Sequence, residues 1–331
     1  MKPLIALTMG DPGGIGPEVI AKTLKRFKFP SRFQYVIAGS LEPFRLLQNK
    51  IGLKISAPVI QSLNQIQKAP VYFWEVFKGP VKPGKVAVVN AHAAFASLEA
   101  AAQAAVSGKV KAIVTAPLNK TSMRLMDPDF TGHTEYLAEI SKTKKFAMMF
   151  HGPRLKVTLT TIHVPINKVS GLIKRGLVYE KIELTDQYLK KRLRMKKPKI
   201  AVCALNPHGR ETGTEDEAEI RPAVKKAQQK GILAFGPLSA DQLFFDAYEG
   251  RFDAVISMYH DQALAPFKMI SFRDGVNVTL GLPFVRTSPD HGTAFDIAYK
   301  DKADPVSFES ALKLAEKLCY VRATRRVAPT F

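Results

Sequence analysis

Five of the seven histidines stand in polar segments where they could meet a ligand. His133 lies in TGHTEYLAE, His163 in TTIHVP, His208 in LNPHGRE, His260 in MYHDQALAPFK and His291 in RTSPDHGTAFD. Neutral imidazole is the commonest metal ligand. Three imidazoles from separate segments can leave coordination positions open for a substrate. His163, His208 and His260 each follow a run of strand-forming residues: TLTTI, KIAVCAL and AVISM. Their separations of 45 and 52 residues match no local zinc motif, so the case for a tri-histidine site rests on strand-end context. A structural role stays open for each histidine taken singly.

A second constellation is Lys268, Asn277 and Arg286, spaced nine residues apart in KMISFRDGVNVTLGLPFVR. A cation, an amide and a guanidinium are the donors that a phosphate or carboxylate needs, and Arg can bind bidentately. In so basic a chain the alternative is scattered surface charge. The opening loop GDPGGIGPE (10–18) could hold an anion on backbone N–H groups, or could simply be a tight turn that needs glycine. It is neither G-x-G-x-x-G nor G-x-x-x-x-G-K-[ST], so it supports neither a Rossmann dinucleotide site nor a P-loop.

These loops need strands and helices to position them. The pattern predicts strands at Leu4–Met9, Phe33–Ala38, Lys111–Thr115, Lys199–Leu205 and Phe252–Met258. Residues 145–150 and 155–162 read as paired strands joined by the turn His151-Gly152-Pro153. Helices are predicted from about Pro17, over 90–107, over 168–194 and over 306–319. Strands alternating with helices imply an α/β protein with a largely parallel or mixed sheet. No Pro/Gly/Ser-rich linker divides the chain, so two lobes would be joined by strands crossing between them.

The 331 residues carry a formal net charge of +20. Such a charge fits a nucleic-acid binder, an enzyme for anionic substrates, or a basic solvated surface. The densest basic run, 190–199 (KKRLRMKKPK), holds seven Lys/Arg but no aromatic residue on which a base could stack, and reads as a solvated helix end. The apolar runs are too short to span a membrane. The N-terminus, with one early Lys and about five apolar residues before Gly and Asp, does not read as a secretory signal. Cys203 and Cys319 cannot build a disulfide framework; as small buried hydrophobes they fit a reducing cytoplasm.

Taken in order, LTMGDPGGIGPEVI, AIVTAPLNK, GHTEYLA, TTIHVP, LNPHGRE, GPLSAD, AVISMYHDQALAPFK and GVNVTLGLPFVRTSPDHGTAFDIA resemble the 4-hydroxythreonine-4-phosphate dehydrogenase family of pyridoxal phosphate biosynthesis. The resemblance implies two α/β/α lobes around a central cleft, similar to isocitrate and isopropylmalate dehydrogenases and not a Rossmann fold. One lobe would comprise 1–125 plus 300–331. The other, 126–299, would carry the metal and substrate ligands and the dimer interface. The family's divalent ion (Zn, Mg, Mn or Co) carries onto His163, His208 and His260. Substrate contacts carry onto His133, Thr134, Lys268, Asn277 and Arg286. NAD, or NADP, is expected along the cleft, with Gly281, Asp290 and His291 as candidate contacts. The implied assembly is a cytoplasmic homodimer with its active site at the interface, acting on a small phosphorylated substrate, with no nucleic-acid or membrane partner.

The implied reaction oxidises a secondary hydroxyl to a ketone β to a carboxylate, then loses carbon dioxide to give 3-amino-2-oxopropyl phosphate. Divalent-metal and nicotinamide chemistry both serve such a step. A general base is also needed, and Asp241 and Asp261 are the candidates; Asp261 could instead orient His260. The chain departs from the family at Gly13, where Ala is usual, and after His208, where GRETGTEDEAEI is shorter than the usual segment and Arg210 replaces Gly. A paralogous threonate or erythronate 4-phosphate dehydrogenase is the nearer alternative, and a basic nucleic-acid-binding protein the remote one.

Overall fold

Segments such as LIALT and AIVT are buried along their whole length, as strands covered by helices on both faces must be. A computed structural model describes residues 2–209 and 211–320; Arg210 and the 321–331 end of the expected first lobe lie outside the described residues. The strands are β1 (Leu4–Thr8), β2 (Gln34–Gly39), β3 (Val59–Ile60), β4 (Val71–Glu75), β5 (Ala112–Thr115), β6 (Ala147–His151), β7 (Lys156–Leu159), β8 (Lys199–Cys203), β9 (Leu233–Leu238), β10 (Ala254–Ser257), β11 (Val276–Leu280) and β12 (Val285–Pro289). The helices are α1 (Gly16–Arg26), α2 (Glu42–Ile51), α3 (Val88–Val106), α4 (Lys120–Arg124), α5 (His133–Ile140), α6 (Ile166–Leu172), α7 (Arg175–Lys191), α8 (Arg221–Gln229), α9 (Ala240–Tyr248), α10 (His260–Ser271) and α11 (Val306–Cys319).

Among the described residues the strands form one mixed sheet, in the order β3-β4-β2-β1-β5-β12-β11-β6-β7-β10-β8-β9. The strands from β3 to β12 run parallel, as do those from β7 to β9. The pairs β12–β11, β11–β6 and β6–β7 are antiparallel. Three antiparallel pairings reverse the sense of the strands, so the two parallel halves point in opposite directions. The expected pair of strands around Gly152 is present as β6 and β7.

Side chains alternate between the faces of a strand. On one face a single apolar core runs through both halves, from Ile5 and Val114 through Val278 and Met149 to Ile200, and α11 packs on it with Phe308 and Leu312. On the other face the apolar core is in two pieces. One includes Ala6, Ile113 and Leu137; the other includes Phe150, Val157 and Phe267. Between them the register brings polar residues together on β5, β12 and β11: Asn277 sits opposite Ser288, and Arg286 lies beside Ile113.

The sequence predicts one helix over 168–194, and the structure has two. The break falls at Ile173, which takes an extended backbone (ψ 102°) and is fully buried. Val169 and Ile173 share one helix face, but five residues separate Ile173 from Val178, so one straight helix would turn the stripe of Val178 and Ile182 about 140° away and could not bury both. The final helix matches its expected span of 306–319. The basic run 190–199 is the end of α7 and the loop into β8; Lys190 pairs with Asp186 at 2.9 Å. Cys203 is buried and Cys319 partly so.

His151 at the end of β6 meets the hydroxyl of Tyr188 at 2.9 Å, with its Nδ1. Burial, helped by Lys156 and Lys317, pushes its pKa down from 6.5 to about 3. The unfolded chain therefore binds more protons below pH 6.5, and this part of the stability, complete above 6.5, is lost as pH falls towards 3. The melting temperature is expected to drop by about 3 °C or more between pH 7 and pH 5. A melting temperature that stays flat over that range would contradict a neutral buried His151.

Candidate active site

Arg286 is the third of these polar positions to consider, and the most constrained. Val285 and Thr287 face the continuous core, so Arg286 and Ser288 must face the interrupted side of the sheet. The same alternation on β11 sends Val276, Val278 and Leu280 to the core and Asn277 and Thr279 to the opposite face. Arg286 is 4% exposed. Its terminal nitrogens donate to Thr279 Oγ1 at 3.2 Å and Thr115 Oγ1 at 2.9 Å, and its Nε has no partner. Among the described residues no carboxylate bonds to it. Burial pulls its pKa down to about 10, with Glu135 the one charge that opposes the shift. A buried guanidinium with an open donor suits a ligand anion.

Arg286, Ser288 and Asn277 line a cavity of about 360 Å³, together with Met148, Lys120 and Lys268. Asn277 Oδ1 is buried without a partner. One wall is the start of α5, where His133, Thr134 and Glu135 follow Gly132. His133 is held neutral: burial, with Arg286 and Lys120 close by, pushes its pKa down to about 3. The opposite wall carries Asp290 and His291. Asp290 lies 3.5 Å from the ammonium of Lys268, and burial raises its pKa despite that neighbour. His291 donates from Nδ1 to the carbonyl of Gly292 at 3.0 Å, which leaves Nε2 unpaired.

His163, in the loop after β7, lines the cavity, and its ring centroid lies 5.8 Å from that of His260. Burial, Lys120 and His260 all lower the pKa of His163, so it presents a neutral ring. The Nδ1 of His260 meets Asp261 Oδ1 at 2.7 Å, which leaves Nε2 as the free ligand atom. Two imidazoles at this separation, one of them oriented by a carboxylate, are a donor pair of the kind that binds a divalent ion. His208 is exposed, has a left-handed backbone (φ 58°), and does not join them. Among the described residues no group of three or more His, Cys, Asp or Glu could hold a metal. Asp241, in the first turn of α9, is exposed and outside the cavity. Gly281 lies in the turn between β11 and β12, on a separate cavity of about 240 Å³ with Tyr188, Lys191 and Arg192.

The structure thus gathers His133, Thr134, His163, Lys268, Asn277, Arg286, Asp290 and His291 around one cavity, with His260 beside it. The loop 10–18 acts as close packing: a Cβ at Gly10 (φ 69°) would lie 2.2 Å from the carbonyl oxygen of Pro117. In that loop the buried Asp11 accepts from Gly13 N–H at 2.8 Å, and its own N–H donates to Pro117 at 2.9 Å. Sequence reasoning missed Lys120, Glu135 and Thr115. Thr115 and Lys120 both stand in AIVTAPLNK, at a strand end, which was the available signal.

Residues 33–315 match the family described as pyridoxal phosphate biosynthetic protein PdxA. The chain is 41% identical over 323 residues to the 4-hydroxythreonine-4-phosphate dehydrogenase of Aquifex aeolicus, covering 96% of this chain and 99% of that one. It is 38% identical over 323 residues to the D-threonate 4-phosphate dehydrogenase of Salmonella typhimurium, covering 95% and 98%. The crystal structure of 4-hydroxythreonine-4-phosphate dehydrogenase from Klebsiella pneumoniae superposes with a TM-score of 0.85 at 35% identity, covering 96% and 98%. A β-decarboxylating dehydrogenase from Thermococcus kodakarensis, 16% identical with a TM-score of 0.50 over 96% and 83%, shares the fold alone.

Arg286→Met tests what the buried guanidinium is for. Replacing an unpaired buried cation by an apolar side chain of similar length should leave the melting temperature unchanged or raise it. The same change should weaken binding of inorganic phosphate by about tenfold or more. Calorimetric titration and thermal melts check both. A variant that melts markedly lower would mean that Arg286 serves the fold.

Proposed function

The chain belongs to the PdxA family of pyridoxal phosphate biosynthetic proteins, and on that premise we propose that it is a dehydrogenase of 4-phosphohydroxy-L-threonine. The reaction is oxidation of the secondary hydroxyl, with loss of carbon dioxide from the β-keto acid, to give 3-amino-2-oxopropyl phosphate. One observation carries the reading to this site: a buried Arg286 with an open Nε, beside the unpaired Asn277 Oδ1, faces a cavity rimmed by His163. That cavity takes an anion at one side and has two imidazoles at the other. The relatives include D-threonate 4-phosphate dehydrogenases, so a sugar-acid phosphate is the second reading. The two substrates differ in an amine against a hydroxyl.

His163, His208 and His260 would hold a divalent ion, and NAD or NADP would lie against Asp290 and His291. When bound, the ion would supply Lewis-acid polarisation and the nicotinamide a hydride acceptor. The chain's own residues do the rest. Arg286, Asn277 and Lys268 anchor the charged ends of the substrate. His133, neutral at working pH, and Thr134 add hydrogen bonds. Asp261 orients His260 through its Nδ1. The apolar blocks on either side of the polar floor restrict water.

The reading includes a homodimer, in which a second copy brings His208 and Asp241 to the cavity. Its support is an apolar surface on α9, which carries Asp241, and on α6 and the end of α10. Met269 is 88% exposed, Phe272 73%, Ile166 70% and Phe245 56%. Side chains of this size on α6, α9 and the end of α10 are the usual material of an obligate interface. No helix among the described residues is long and apolar enough to cross a membrane.

Two experiments test these statements. NADH formation is measured with 4-phosphohydroxythreonine, D-threonate 4-phosphate and D-erythronate 4-phosphate, before and after chelation. The amino-acid phosphate is expected to give the highest kcat/KM, and exhaustive chelation to remove activity that added divalent ion restores. Turnover that survives metal removal would count against the histidine site. Separately, the double change Met269→Glu and Phe272→Glu is expected to give a monomer in sedimentation velocity and to lower turnover by about a hundredfold or more. A monomer with full activity would refute a shared site.

A further inference from the structure

We propose that Lys120 is a substrate-binding residue, the cation for a phosphate seated on the N-terminus of α5. This deepens the functional reading above and rests on it for the identity of the substrate. The geometry comes first. Helix α5 has eight residues and begins at the cavity wall, where no side chain caps Gly132. Its first-turn N–H groups are therefore open, with the positive end of the helix dipole behind them. The buried hydroxyl-bearing Thr134 is in that turn, and Arg286, whose buried Nε has no partner, lines the same cavity. Helix end and buried donor together make an anion subsite.

A phosphate ester carries about −1.5 to −2 charge at neutral pH, more than one guanidinium balances. His133 stands in the right place but contributes hydrogen bonds only, because it is neutral. Lys268 is engaged on the opposite wall with Asp290. Lys120 is the remaining cation lining the cavity, and among the described residues no carboxylate pairs with it. Glu135 lies in the same turn of α5, and its negative charge makes a cation there more necessary, not less.

Lys120 is also held in place. It opens α4, where Asn119 Oδ1 accepts the N–H of Ser122 at 2.7 Å. The buried carboxylate of Asp11 faces Ser122, and Asp11 is tied to the backbone at Pro117. Gly132 makes the room. Its φ of 151° is one that L side chains rarely adopt, and a Cβ placed there would come within 2.9 Å of Glu135 Oε2 and 3.4 Å of Lys120 Cε, so those side chains would have to shift. The lysine is thus presented by an anchored turn across a gap next to a glycine.

The test uses the full chain, with Lys120→Met and Lys120→Arg, and inorganic phosphate as the probe. Lys120 is exposed, so both variants should melt like the wild type. Calorimetry should show phosphate binding weakened by about tenfold or more in Lys120→Met and largely kept in Lys120→Arg. Steady-state kinetics with 4-phosphohydroxythreonine should show KM raised by a similar factor and kcat altered by less than about threefold. Wild-type phosphate affinity in Lys120→Met, no measurable phosphate binding by the wild type, or a fall in kcat at constant KM would overturn the proposal. If the wild type turns over none of the phosphorylated substrates, the functional reading fails, while the phosphate titration still decides the role of Lys120.

Discussion

A guanidinium sealed inside the protein without a carboxylate to pair it is the constraint around which this site is arranged. Ordinarily such a charge is paired or excluded from an interior. Arg286 is tolerated because Thr115 and Thr279 supply hydroxyl acceptors from the strands on either side of β12, and because Glu135 adds a favourable field across the cavity. The same positive charge helps to keep His133 neutral. A cavity so biased is electrostatically suited to an anion, and the bias comes from the fold itself.

The position of that charge depends on how the sheet reverses. In an open parallel sheet ligands collect beyond the carboxyl ends of strands. That rule placed His163 after β7 and His260 at the start of α10, after β10; His163 lines the cavity and His260 lies beside it. It does not describe Asn277 or Arg286, which sit within strands, on the face of the antiparallel centre. They are reached because β11 and β12 pair with Asn277 opposite Ser288, so that the polar members of VNVTL and VRTSP share one side. The alternation was legible in VNVTL, where every second residue is polar, but not in VRTSP, where Arg, Thr and Ser stand in a row and Thr287 faces the core side. Which face would be open was not legible, because that depends on the gap between two distant apolar clusters. The break between α6 and α7 is of the same kind: the local pattern favours helix, and the tertiary demand to bury both the Val169–Ile173 stripe and the Val178–Ile182 stripe, which are out of phase, interrupts it. Lys120 went unread for a third reason. Its short helix has no periodic signature, and its role depends on α5 across the cavity.

The charge of +20 is only partly accounted for by the cavity, which Lys120, Lys268 and Arg286 line. The densest basic stretch ends α7 and does not line that cavity. Its residues are largely exposed, where salt screens them and each ion pair contributes little. The site's specificity therefore rests on a few fixed cations, whereas the surface excess can act on ligand capture only through a diffuse field that weakens with ionic strength.

The unbroken sheet beneath the cavity has one more implication. Its polar floor runs from β5 across β12 to β11, two inter-strand gaps, or roughly 10 Å at about 4.8 Å each. That width is set by backbone hydrogen bonds, and one continuous core on the reverse face supports it. Distances between anchoring groups are thus quantised by strand spacing: a group can move to the next strand or two residues along its own, but not part of the way. Evolution towards a longer or shorter ligand would have to proceed by exchanging side chains at fixed lattice points of the sheet, much as a pegboard accepts new pegs only at its existing holes.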